Sequence, residues 1–143
     1  MAPALRLHLV TLGVEDLARS AHFYETLGLK RHMRNSKGVA FFDAGGAVLS
    51  LYGRDALAKD AGLETMPHGS GSATLAFNVG SESAVDEVLA AAEAAGGKIL
   101  KPGYRIFWGG YIGYFADPDG HLWEVAYNSQ FPFDEHGRIV LPE

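Results

Sequence analysis

The feature that most constrains this chain is a pattern of apolar residues that runs through one cycle, breaks, and runs through it again. Residues 5–14 read as a strand covered on both sides, with Leu5, Leu7 and Leu9 on one face and Val10, Leu12 and Val14 on the other. Asp16 suits the N-cap of a helix in which Leu17, Ala21, Tyr24 and Leu27 recur at helical spacing, and Gly28 is placed to end it. Short strands follow over 29–34, 39–43 and 47–52, separated by turns at Asn35-Ser36-Lys37-Gly38 and Ala44-Gly45-Gly46. The cycle then restarts. Residues 73–79 form a strand, and Ser81 or Ser83 caps a helix striped by Val85, Val88, Leu89, Ala92 and Ala95. Residues 98–100 and a hairpin over 109–128 complete the second unit. Superposing the halves puts Val14 over Val79 and Gly46 over Gly120. The expectation is one domain of two β-α-β-β-β modules, about 5–53 and 73–128, with a surface linker at 54–72 and a tail at 129–143.

The hairpin is the most informative part of the repeat. Asp117-Pro118-Asp119-Gly120 suits a tight turn, because proline presets the backbone at its second position and glycine tolerates its last. Alternation in the second arm puts Leu122, Glu124 and Ala126 on one face and Trp123, Val125 and Tyr127 on the other, so a single carboxylate sits inside an apolar strand.

Composition narrows the function classes. At 143 residues the chain can bury a real core without staples, and the lack of cysteine removes disulfides, thiolate metal sites and cysteine nucleophiles and suits a reducing cytoplasm. No apolar run is long enough to span a bilayer, and the N-terminus has no h-region. With 12 basic against 17 acidic residues, the basic ones scattered, nucleic acid is not an expected partner. Eighteen glycines beside an aromatic content of 11% favour a pocket for a small molecule. No Gly-x-Ser-x-Gly elbow, phosphate loop, His-Glu-x-x-His or dinucleotide fingerprint is present.

The doubled unit, with Val14-Glu15-Asp16-Leu17-Ala18-Arg19-Ser20, Phe23-Tyr24 and Leu27-Gly28 in the first half and Asp117-Pro118-Asp119-Gly120-His121 in the second, resembles the vicinal oxygen chelate superfamily of glyoxalases, extradiol dioxygenases and bleomycin-resistance proteins. The resemblance implies an α+β fold whose modules curl into a half-barrel cup, and frequently a homodimer. Metal-dependent members hold a divalent ion with His, Gln or Glu from the first and last strands of each module, positions that fall on Leu9, Ser50, Thr74 and Glu124 here. Leu9 cannot ligate, Ser50 and Thr74 are neutral hydroxyls, and one carboxylate is too few for a transition metal, so no metal and no other cofactor is expected. His8 lies one residue off the ligand position, hence on the other face, and reads as a satisfied structural histidine.

The expected ligand wall comprises Leu9, Thr11, Ser50, Tyr52, Thr74, Asn78 and Glu124, with Trp108 and Tyr111 near its mouth beside Gly109-Gly110. Core packing is the plainer reading for Phe41, Phe42, Phe77, Phe115 and Trp123. Glu124 has two readings: a buried group paired with Asn78, Thr74, Tyr52 or an arginine to hold the strands, or a ligand-facing acid or general base. The first functional expectation is a metal-free, dimeric binding protein for a small, partly aromatic or cationic molecule. The alternative is a lyase or isomerase of the glyoxalase type, working with a divalent metal or with Glu124 as catalytic base. The tail is expected to dock its aromatics, Phe131 and Phe133, on the body.

Overall fold

Residues 1–143 are all described by the computed structural model. The first module consists of β1 (Leu9–Val14), α1 (Leu17–Thr26), β2 (Lys30–His32), β3 (Val39–Asp43) and β4 (Val48–Gly53). A helix, α2 (Arg54–Asp60), follows it. The second module repeats the order with β5 (Leu75–Asn78), α3 (Glu82–Ala94), β6 (Lys98–Arg105), β7 (Tyr111–Ala116) and β8 (Leu122–Tyr127). Each module is a four-stranded mixed sheet, in the orders β1-β4-β3-β2 and β5-β8-β7-β6. In both, the first strand pairs in parallel with the last, which the intervening helix makes possible by carrying the chain back over the sheet. The fold is therefore α+β, built from two β-α-β-β-β units.

The helix boundaries follow from local chemistry. The Asp16 carboxylate accepts from the Arg19 N–H at 3.0 Å and the Ser81 hydroxyl from the Ala84 N–H at 3.1 Å, so each cap satisfies an amide that has no intrahelical partner. Past α1, Gly28 takes a φ of +102°, where a side chain would be strained.

Three stretches depart from the sequence reading. The first strand begins at Leu9, since only from there does β4 lie alongside it; residues 5–8 run exposed, and the His8 side chain with them, so His8 is a surface residue and not a satisfied core histidine. The linker is not irregular throughout. Its first residues form α2, which packs on Gly13: a β-carbon there would meet Arg54 and Leu57 at 3.4 Å. Strand β6 extends to Arg105, with register shifts between Ile99 and Tyr104, around the non-donating Pro102.

The modules share one core. Leu12, Val14, Phe42, Leu49 and Leu51 from the first sheet join Phe115 and Val125 from the second and Val85 and Leu89 of α3, and Phe23 and Tyr24 of α1 lie in the same cluster. The hairpin turn ties the halves further. One oxygen of Asp117 accepts from the backbone N–H groups of Asp119 and His121, at 2.9 and 2.8 Å, and the other accepts from the Tyr24 hydroxyl at 2.6 Å. The Trp123 indole donates to the Tyr24 oxygen at 3.0 Å. His121 donates from Nε2 to the Gly13 carbonyl at 2.8 Å, and Asp119 accepts from the Glu15 N–H at 2.9 Å. Burial raises the Asp117 carboxyl above its ordinary value against these hydrogen bonds, and burial together with the Asp117 charge raises the Tyr24 phenol.

The tail lies against the body at more than one point, and of its aromatics Phe131 is half-buried. Phe133 pairs with Ile139 in an isolated bridge yet stays 42% exposed, while the Arg138 guanidinium lies against Gly46 in the β3–β4 turn. Asp134 accepts from the N–H groups of His136 and Arg138, which holds its carboxyl below the usual range. No helix is long and apolar enough to cross a membrane.

Candidate functional site

Cross-strand register decides which side chains share a face. In the second sheet Glu124 stands opposite Tyr114 on β7 and beside Ala76 on β5, while Asn78 stands beside Ala126 one step along. In the first sheet Thr11 lies beside Ser50, Leu9 beside Val48, and Tyr52 opposite Val39. The core-facing set is the complement: Val10, Leu12 and Val14; Leu49 and Leu51; Phe115, Trp123 and Val125. Leu9, Thr11, Ser50, Tyr52, Asn78 and Glu124 alternate with that set and lie on the faces turned away from the shared core, while Thr74 precedes β5.

Those residues differ in accessibility. Leu9 and Thr74 are exposed, and Thr11, Tyr52, Asn78 and Glu124 are half-buried. Ser50 is buried, between its cross-strand neighbours Thr11 and Phe41. Tyr52 is directed toward Asp60 of α2, whose carboxylate raises its phenol by hydrogen bonding and charge. A cavity of about 290 Å³ lies between β1 and β5, lined among others by Thr11, Gly13, Met66, Ser70 and His121.

Glu124 has a partner that the sequence reading did not name. The Tyr114 hydroxyl donates to its Oε2 at 3.1 Å, and burial followed by the Glu124 charge raises the Tyr114 phenol. No lysine, arginine or histidine is within ion-pairing distance of Glu124; the ion pairs of the chain all lie elsewhere. The signal for Tyr114 was present in the turn: pairs in this hairpin sit equally far on either side of Asp119, so Tyr114 is the counterpart of Glu124. Lys101 extends the same row onto β6, where its ammonium lies 3.8 Å from the centre of the Tyr104 ring.

The two loop aromatics are placed differently from the rest of the wall. Tyr111 stands opposite Tyr127, on the face that also carries Trp123, and its hydroxyl donates to Asp86 of α3 at 2.8 Å, so it points away from Glu124. Its phenol is raised first by that hydrogen bond. Trp108 folds back over Gly110, whose missing side chain makes room for the ring.

The donor set does not fit a transition metal. Of Leu9, Ser50, Thr74 and Glu124 only the last is a strong ligand, and no three His, Cys, Asp or Glu side chains converge anywhere in the chain. What the site offers chemically is a half-buried carboxylate, oriented by a phenol, on a sheet face that also carries hydroxyl and amide groups.

Comparison with known proteins agrees with the architecture. A glyoxalase-related enzyme from Fulvimarina pelagi superposes with a TM-score of 0.90 at 34% identity, covering 98% of this chain and 100% of that one. A glyoxalase/bleomycin resistance protein/dioxygenase family enzyme from Burkholderia phytofirmans matches at 0.75 and 21% identity over 86% of this chain and 98% of its own. A lactoylglutathione lyase from Agrobacterium tumefaciens matches at 0.67 and 22% identity, covering 89% of this chain and 96% of that one. The last two are similar in fold. The family model for the Glyoxalase/Bleomycin resistance protein/Dioxygenase superfamily matches residues 6–125, and the chain belongs to that superfamily.

Proposed function

We propose that this protein binds a small, partly aromatic organic molecule on the Glu124 face of the second sheet, with the carboxylate taking a cationic or hydrogen-bond-donating group directly and no metal between them. The observation that carries the reading is Glu124 itself: half-exposed, oriented by the Tyr114 hydroxyl, and paired with no cation of its own chain. A carboxylate kept only to brace strands would have its charge met from within, because a partly desolvated unpaired charge is costly. Leu9, Thr11, Asn78 and Thr74 supply the apolar and hydrogen-bonding surroundings usual for such sites. We place the protein in the reducing cytoplasm that a cysteine-free chain suits, as a homodimer.

The test has two parts. Protein purified without chelators should carry no stoichiometric Zn, Ni, Mn or Fe. Calorimetric titration with tryptamine, an aromatic cation, should show saturable binding that Glu124→Gln weakens roughly tenfold to a hundredfold, the loss of a charge-assisted contact worth about 1.5–3 kcal/mol. Stoichiometric metal, or tryptamine affinity unchanged by the substitution, overturns the reading.

The 34% identity to the glyoxalase-related enzyme of Fulvimarina pelagi favours a second reading, a lyase or isomerase in which Glu124 acts as base. Methylglyoxal with glutathione, assayed with and without added divalent ions, separates the two. Turnover that disappears in Glu124→Gln selects the enzyme.

A further inference from the structure

A cavity of about 450 Å³ lies on the opposite side of β8 from Glu124, in the angle where α1, α3, β1 and β5 come together. It is larger than the cavity beside Thr11 and different in chemistry. Leu27, Leu49, Leu75, Val88, Phe115 and Trp123 form its main walls, and of all its lining residues only Thr26 is not hydrophobic. The polar side-chain groups at its surface are already committed. The Thr26 hydroxyl donates back to the His22 carbonyl at 2.8 Å, the Tyr24 hydroxyl donates to Asp117, and the Trp123 indole N–H donates to Tyr24. No side-chain donor or acceptor is left to meet a polar ligand, so a charged or hydrogen-bonding guest would lose its water contacts without replacement.

The shape is as selective as the chemistry. The Phe115 and Trp123 rings lie nearly parallel, 4° apart with centroids 6.2 Å apart, and the hydrogen bond to Tyr24 holds the indole in place. A dry apolar cavity of roughly 150 Å³ is enough to take a benzene ring, so this one has room for a fused bicycle. From these observations we infer that the cavity is a second binding site, separate from the Glu124 face, for an uncharged aromatic or alicyclic molecule of about two rings. The inference does not depend on what Glu124 binds, because side chains of β8 alternate and the two sites use opposite faces of the strand.

The experiment follows the Trp123 indole N–H resonance of the full-length protein by two-dimensional NMR during titration with naphthalene. Saturable shifts at one site per chain are expected, with intermolecular NOEs to the Val88 and Leu27 methyls. Purine, of similar size but rich in ring nitrogens, should bind at least about tenfold more weakly. Val88→Phe should fill the space and abolish the shifts, whereas Glu124→Gln should leave them intact. The NOEs on the unsubstituted protein decide the question even if Val88→Phe fails to fold. Absence of saturation, NOEs to residues elsewhere, equal affinity for purine, or loss of binding in Glu124→Gln would overturn the proposal. So would a Trp123 shift that follows dilution of the protein with no naphthalene present, since a second copy of the chain would then occupy the cavity.

Discussion

Asp117 is the residue on which most depends. It accepts three hydrogen bonds, from Tyr24, Asp119 and His121, yet its carboxyl is raised, so burial outweighs them and the ionised form is the costly one in the folded state. A carboxyl with a raised folded value contributes its full stability below its ordinary range, near 3.8, and loses it as pH climbs through the raised value. Urea titrations of the native protein and Asp117→Asn across this range should therefore show the native protein losing ground to the variant as pH rises toward neutral. Tyr24→Phe removes the hydroxyl that both donates to Asp117 and accepts from Trp123, and should cost about 1.5–3 kcal/mol in the same measurement at neutral pH. Glu124 illustrates the opposite situation at this scale. Its place in an apolar strand was plain from the sequence, but its partner was found only by pairing strands, because Tyr114 looks like any other aromatic until the turn centre is used to count across to it.

Among the elements, those defined by local chemistry were the most legible. The cap at Asp16, the apolar stripe of α3 and the Asp-Pro-Asp-Gly turn each depend on residues within one turn of chain and appear as read, and of the two serines offered for the α3 cap the structure uses Ser81. What could not be read was set by distant partners. Strand β1 is shorter than its run of leucines because strand structure extends only where β4 accompanies it, and α2 is seven residues long, too short to show a periodicity. Tyr111 sits beside glycines like a binding-loop aromatic, but its face was fixed by pairing with Tyr127. Two substitutions test the element-scale account by thermal or urea unfolding. Ser81→Ala should lower stability by about 1 kcal/mol through the lost α3 cap. Gly97→Ala should cost about 1–3 kcal/mol, since the new methyl would meet the Ala116 and Ala92 carbonyls at 2.8 and 3.0 Å and the Phe23 ring at 3.1 Å.

At the scale of the whole molecule, β1 and β5 each end a sheet with one side unpaired, and Leu5 and Leu9 are exposed along or beside β1. Open apolar edges of this kind invite pairing with another chain, which is the physical ground for expecting a homodimer. Light scattering coupled to size exclusion should give twice the mass of 15.3 kDa, and Leu9→Lys should shift it toward a single chain. A monomer at micromolar concentration in the unsubstituted protein would remove that expectation. The two halves are alike in plan but not in how they hold each other. The turn that matches Asp117-Gly120 in the first half is Asp43-Gly46, and its carboxylate is exposed, bonded only to the neighbouring Gly45 N–H at 2.9 Å. By the superposition of Val14 on Val79, the counterpart of Tyr24 is Leu89, which has no hydroxyl to offer. The fastening therefore runs one way, from the second turn into the first helix. A chain rebuilt from two copies of either half would carry the bolt without its socket or the socket without its bolt, so neither half can be doubled into a molecule fastened in this way.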